Sequence, residues 1–212
     1  MKKSILILVV CILVAGCSSK MIKLDSKYLA GPNKCVVVCK YQAPVKSSTS
    51  GGGLIGEIVN ASRADAFQTL LTNMDFRKDV KQSFTELLEK NKQNINVVRN
   101  QDILKRVETT TNYNFLLKEY DIPLVFELKI VERGAYIKSG ALGLVVDYYA
   151  TMKIEGTLKD LKENKTIWLY ENDDDLEMDG NKDEIIADDG KIMKETYSNL
   201  IKKLNQQLVK NL

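Results

Sequence analysis

Apolar residues recur at helical spacing from about Asn60 onward. Ala64, Phe67, Leu70, Leu71 and Met74 fall three or four residues apart and define a single apolar face. Asp75 can cap a second segment, in which Phe76, Val80, Phe84, Leu87 and Leu88 repeat the spacing. The end of the chain does the same: Ile192, Met193, Tyr197, Leu200, Ile201, Leu204 and Leu208 predict an amphipathic helix. Asp102 to Val107 and Tyr113 to Tyr120 predict short helical turns.

Elsewhere the period changes to two. In IPLVFELKIVER (122–133), Leu124, Phe126, Leu128 and Ile130 share one face while Glu127, Lys129 and Arg133 are expected to face away. In LVVDYYATMKIEG (144–156), Leu144, Val146, Tyr148, Ala150, Met152 and Ile154 oppose Asp147, Tyr149, Thr151, Lys153 and Glu155. That alternation predicts antiparallel strands with one face on the core. A third strand, TIWLYE (166–171), follows the polar turn KDLKENK. KCVVVCKY (34–41) is a β-branched run of strand type stopped by Pro44, and INVV (95–98) reads as a short buried strand. KSSTSGGG (46–53) reads as a flexible loop. The order β-α-β-α-β-β-β-α predicts an α+β fold: a mixed, mainly antiparallel sheet with amphipathic helices on one face.

The first residues change the setting. MKKSILILVVCILVAGCSSK carries two lysines, Lys2 and Lys3, and then ten apolar residues from Ile5 to Val14. That stretch is too short to span a bilayer and suits a secretory signal. Val14, Ala15, Gly16 and Cys17 resemble the bacterial lipobox, whose cysteine is diacylated on sulfur, with palmitate-type chains, before the signal is cut in front of it. The resemblance implies a signal peptide over 1–16, a lipidated Cys17 and polar tether over 17–33, and a single periplasmic domain over 34–212. Ser18, rather than Asp, after the cysteine points to the periplasmic face of the outer membrane rather than to the inner membrane. The mature chain is then anchored to a membrane, not threaded through it.

Composition narrows the chemistry. Removing residues 1–16 takes two of the 31 basic residues and none of the 28 acidic ones, leaving a net charge of about +1. Such a balance gives no electrostatic reason to expect nucleic acid as a partner. The sequence has 0 histidines. Ser-His-Asp and Cys-His nucleophile systems and His-ligated zinc are therefore excluded.

The element order on a lipidated chain resembles the small α/β domain of the curli-secretion lipoprotein, of the penicillin-binding-protein activator lipoproteins and of the amino-terminal part of the Tol-system propeller protein. It is also similar to a set of uncharacterised bacterial lipoproteins with a Gly-Leu-Ile-Gly stretch, here Gly53 to Gly56, between first strand and first helix. The resemblance covers residues 34–211. It implies a non-enzymatic role in envelope assembly or regulation, with no catalytic residue and no cofactor to carry over.

Three stretches carry candidate chemistry. Gly51, Gly53 and Gly56 in TSGGGLIGEIVNASR spell the dinucleotide pattern G-x-G-x-x-G. About ten residues separate Gly51 from the preceding strand, no acidic residue stands at the ribose distance, and export removes the nucleotide, so no phosphate site is expected. Gly51, Gly52, Gly53, Leu54, Ile55 and Gly56 are instead expected as a mobile loop that can dock a partner. Cys35 and Cys39 share a strand face but stand about 13 Å apart at about 3.3 Å per residue, beyond the reach of a disulfide. Two buried thiols are expected there, with an intermolecular disulfide or a redox dithiol as alternatives. The acidic stretch ENDDDLEMDGNKDE (171–184) is expected as a solvated loop. It fails as a calcium-binding EF-hand, with Glu177 at the third position and Ile186 at the twelfth. Weak calcium binding by Asp173, Asp175 and Asp179, and a hydrolase built on paired carboxylates, are the readings left beside it.

The sequence thus predicts an outer-membrane-anchored periplasmic lipoprotein that acts through contacts with another envelope protein or with itself. Two alternatives stand: a subunit of an oligomeric secretion or pore complex, whose hairpin at 124–155 would face lipid, and a carboxylate-dependent hydrolase.

Overall fold

A computed structural model describes residues 21–51, 53–140 and 146–212. The predicted lipobox, Val14 to Cys17, and Gly52 lie outside the described residues. A short 3₁₀ turn, Ser26–Leu29, precedes β1 (Asn33–Gln42), β2 (Ser48–Ser50), α1 (Gly53–Thr72), α2 (Arg77–Asn91), β3 (Ile95–Val97), α3 (Gln101–Thr109), α4 (Asn114–Tyr120), β4 (Leu124–Ser139), β5 (Val146–Asp160), β6 (Lys165–Glu177) and α5 (Lys182–Lys210). The fold is α+β, as the pattern predicts. The sheet runs β3-β1-β4-β5-β6, with β2 beside the far end of β4. Strands β4, β5 and β6 are antiparallel, whereas β1 is parallel to both β3 and β4.

The alternation of β4 and β5 has a direct cause. Phe126, Leu128, Ile130, Ala150, Met152 and Ile154 face Phe67 and Leu71 of α1, Phe84 and Leu88 of α2, and Leu200, Leu204 and Leu208 of α5. Fully burying one such large apolar side chain stabilises by about 1.5–3 kcal/mol. The apolar face of the 124–155 hairpin is therefore packed beneath helices. Strand β1 lacks alternation because it is covered on both faces. Val36 and Val38 pack on Ile103 and Val107 of α3 and Leu116 of α4, while Cys35, Val37 and Cys39 join the main core.

Polar details fix the joints. Asn181 accepts from the N–H groups of Asp183 and Glu184, and Glu184 accepts from the Asn181 N–H at 2.8 Å, a reciprocal cap that starts α5. Helix α5 is interrupted at Ala187–Gly190, where Asp188, Asp189 and Gly190 take positive φ. Its long segment after the break carries the expected apolar stripe. Asp75 accepts the Arg77 N–H at 3.0 Å at the start of α2, although Phe76 occupies the cap position.

Several expectations change. A bulge between Ile130 and Glu132 resets the parity of β4, so Arg133 pairs with Met152 and turns inward instead of facing away. KSSTSGGG is not a loop throughout: Ser48–Ser50 pair with Tyr136–Lys138 of β4, and Ser50 Oγ and Tyr136 Oη are 2.5 Å apart. The glycine stretch is not a loop throughout either. Helix α1 begins at Gly53, so Gly53, Leu54, Ile55 and Gly56 lie on its first turn. Glycine costs about 1 kcal/mol against alanine in a helix, which hides this start from a propensity reading. Gly51 has φ +82°, and a Cβ there would run into the Ser139 carbonyl oxygen. The acidic loop is shorter than expected, because β6 continues to Glu177 and pairs Asp173, Asp174 and Asp175 with Lys153, Met152 and Thr151. Residues placed in the tether also touch the domain: Ile22 bridges Leu169, and Leu24 and Tyr28 pack on the core.

Candidate functional site

The most distinctive surface lies where β1 outruns its neighbour. Strand β3 has three residues and pairs only with Asn33, Lys34 and Cys35. The Val98 N–H donates to the Cys35 carbonyl at 2.8 Å, and there the pairing stops. Backbone groups on a strand alternate in direction, so those of Val37 and Cys39 point to the same side as those of Asn33 and Cys35. Beyond Cys35, no described strand covers that side of β1.

This unpaired edge, where Val37 is 2% and Cys39 7% exposed, forms the floor of a groove of about 670 Å³ between α2 and α3. Val37, Cys39, Val97, Val98 and Leu104 give it an apolar base. Its walls carry six cations (Lys40, Arg77, Lys78, Lys81, Arg99 and Lys105) against three acids, Asp75, Glu86 and Glu108. The acids are mostly engaged. Arg77 grips Asp75 through Nε and Nη2, the latter at 2.6 Å, and these hydrogen bonds hold the Asp75 carboxyl below its usual range. Lys81 reaches Glu108 at 2.9 Å, and Gln82 donates to Glu86 at 2.9 Å. Arg99 pairs outside the groove with Glu89 at 2.6 Å. Among the described residues, Lys78 and Lys105 have no ion-pair partner. Lys40 sits over the Tyr113 ring at 4.6 Å, and burial lowers its pKa.

The sequence missed this groove because it arises from the shortness of β3, and INVV reads the same whether or not the neighbouring strand extends past it. Lysines 78 and 105 stand on separate helices with nothing in their spacing to join them.

Of the sequence candidates only Cys39 lines the groove, and the acidic ones sit elsewhere. Cys35 and Cys39 are free thiols in the core. Burial pushes both thiols up, Cys39 to about 12, so neither presents a thiolate nucleophile at neutral pH. Asp173 and Asp175 are exposed on β6 and Asp179 lies beyond its end. Their neighbour Asp174 points inward and pairs with Lys203 of α5 at 2.6 Å. Among the described residues, no group of three or more acidic or cysteine side chains is placed to hold a metal. Glu127, like Asp160 at the end of β5, is a buried carboxylate of the sheet. Burial opposes its ionisation, but hydrogen bonds from Tyr113 Oη at 2.7 Å and Lys159 Nζ at 3.0 Å outweigh that, and its pKa is lowered. A general acid needs the opposite shift.

No family model and no curated protein matches this chain. Solved structures with a similar arrangement include bacterial proteins, lipoproteins among them. The PelC dodecamer from Paraburkholderia phytofirmans superposes with a TM-score of 0.47 at 8% identity, covering 91% of this chain and 94% of that one. The hypothetical protein CT253 from Chlamydia trachomatis gives 0.45 at 11% identity, covering 85% and 95%. A minor lipoprotein from Acinetobacter baumannii gives 0.42 at 8% identity, covering 84% and 91%. These are likenesses of general arrangement, and the functional reading rests on this chain's own residues.

Proposed function

We propose that this chain is a lipid-anchored protein of the bacterial envelope, held at the periplasmic face of the outer membrane by acyl chains on Cys17. It is non-enzymatic and acts in envelope assembly or regulation through protein–protein contacts. The anchor rests on the signal-like Lys2 to Val14 segment and the Val14-Ala15-Gly16-Cys17 stretch. The observation that carries the contact role is the open β1 edge at the floor of a cationic groove, a backbone surface suited to pairing with another chain. Groups that chemistry would need are committed to structure instead. Both thiols pack in the core, and Glu127 is held ionised by Tyr113 and Lys159. Among the described residues, no helix is long and apolar enough to cross a membrane, which fits anchoring through lipid.

The test of the anchor is metabolic labelling with palmitate of wild type and Cys17→Ser. Wild type should incorporate label and fractionate with the outer membrane, whereas the variant should accumulate as an unlabelled precursor. A variant that matures and fractionates like wild type overturns the lipoprotein reading.

A further inference from the structure

We propose that the groove between α2 and α3 takes an extended, acidic segment of another protein, laid as an additional strand against β1. This deepens the reading of the chain as a contact protein and rests on it.

The site supplies what such a segment requires. Val37 and Cys39 turn their backbone donors and acceptors toward the groove, where β3 has already ended. The stretch from Val37 to Cys39 spans about 7 Å at about 3.3 Å per residue before a bulge between Cys39 and Tyr41 turns the backbone, enough for a few ladder hydrogen bonds. An added strand alternates its side chains between the two helices. Toward α2 it meets Lys78 and Lys81, and toward α3 it meets Lys105 and the apolar Leu104. Lys78 and Lys105 therefore offer one charge on each side of the backbone, and acidic side chains are the complement of both.

The geometry also selects a single strand over the rim of another sheet. The groove is bounded by helices on both faces, and its volume lies within the range of about 300–1,000 Å³ typical of clefts for small ligands. The chain's own acidic rim, Asp173 to Glu177, has the right charge, but α5 lies over it, with Lys203 reaching Asp174 at 2.6 Å. A free peptide segment carries no such layer.

The test uses the full-length protein in detergent micelles and two fluorescein-labelled peptides, one repeating Glu-Glu-Val-Val, which puts glutamates on both faces of a strand, the other repeating Lys-Lys-Val-Val. The glutamate peptide should bind by fluorescence anisotropy and the lysine peptide should not. Binding should slow hydrogen exchange at the Val37 and Cys39 amides. The exposed double variant Lys78→Glu, Lys105→Glu should weaken it by about tenfold or more. Equal binding of both peptides, unchanged exchange at Val37 and Cys39, or undiminished affinity in the double variant would each overturn the proposal. So would self-association that competes with the peptide and disappears in Asp173→Lys, Asp175→Lys, since that assigns the groove to a second copy. Failure here leaves the palmitate result standing, and failure of palmitate labelling leaves peptide binding untouched.

Discussion

Lys81 on α2 and Glu108 on α3 form an ion pair of 2.9 Å that spans the two walls of the groove. The pair closes the slot with side chains rather than backbone, and Glu108 is half exposed, with 51% of its side chain accessible. Ion pairs of that exposure contribute little to stability. Glu108→Gln should change unfolding free energy by less than about 1 kcal/mol. It should also tighten binding of the glutamate–valine peptide, because it removes an acid and releases Lys81. Urea denaturation and anisotropy titration check the two halves. A large loss of stability would instead make the pair a structural strut.

Arg133 is buried and, among the described residues, has no carboxylate partner. Its guanidinium donates to the carbonyls of Ala43 at 2.7 Å, Leu71 at 2.8 Å and Met74 at 3.0 Å, tying the β1–β2 connection to the end of α1. Burial lowers its pKa. Arg133→Met removes the guanidinium donors from these carbonyls at once, leaving Leu71 with the Met74 N–H and Met74 with Gln42 Nε2, and should cost about 3 kcal/mol in urea denaturation. Arg133→Lys should recover only part, because an ammonium cannot reproduce the planar fork.

Arg133 also shows where sequence reading stops. The period of two locates β4 and β5 and identifies Phe126, Leu128 and Ile154 as core. It carries straight through Ile130, however, and so assigns Arg133 to the outer face. Only the bulge between Ile130 and Glu132, visible once β5 is paired, turns it inward. The same limit applies to β2. Ser48, Thr49 and Ser50 have no apolar face and become a strand because Val45 and β2 continue the line of β1 along β4. The acidic residues after Glu171 lose their strand signal for a related reason. At a sheet rim with one solvent face, hydrogen bonding to β5 defines the strand, and hydropathy does not. The three long helices were legible because each must bury a continuous stripe. The groove was not, because it depends on a strand ending early.

Stability should fall in acid through Glu127. Its folded pKa lies below the ordinary value of 4.5, so its ionised form stabilises the fold above that value. The contribution is lost as pH falls from about 4.5 through the lowered pKa. Glu127→Gln should therefore flatten the acid limb of unfolding free energy against pH, with the variants compared from neutral pH down to about pH 3. Parallel acid limbs in the two proteins would remove Glu127 as the group responsible.

Cys35 and Cys39 should be inert in the native protein. Both thiols are buried and their pKa values are raised, so a thiol-specific reagent should label neither in the folded state and both in denaturant. Mass spectrometry of alkylated protein reads the outcome residue by residue. Rapid native labelling of Cys39 would show that the groove floor opens without global unfolding.

Contacts made at the β1 groove are the means by which we propose this chain works. The most direct measurement places a photo-crosslinking residue at Leu104 on the groove wall of the full-length protein in cells, with Ile58 on α1 as the comparison site. One heterologous envelope protein should be joined from position 104 and not from position 58. That adduct should be lost with Lys78→Glu, Lys105→Glu. A ladder of self-multiples from position 104, or equal adducts from both positions, would contradict it.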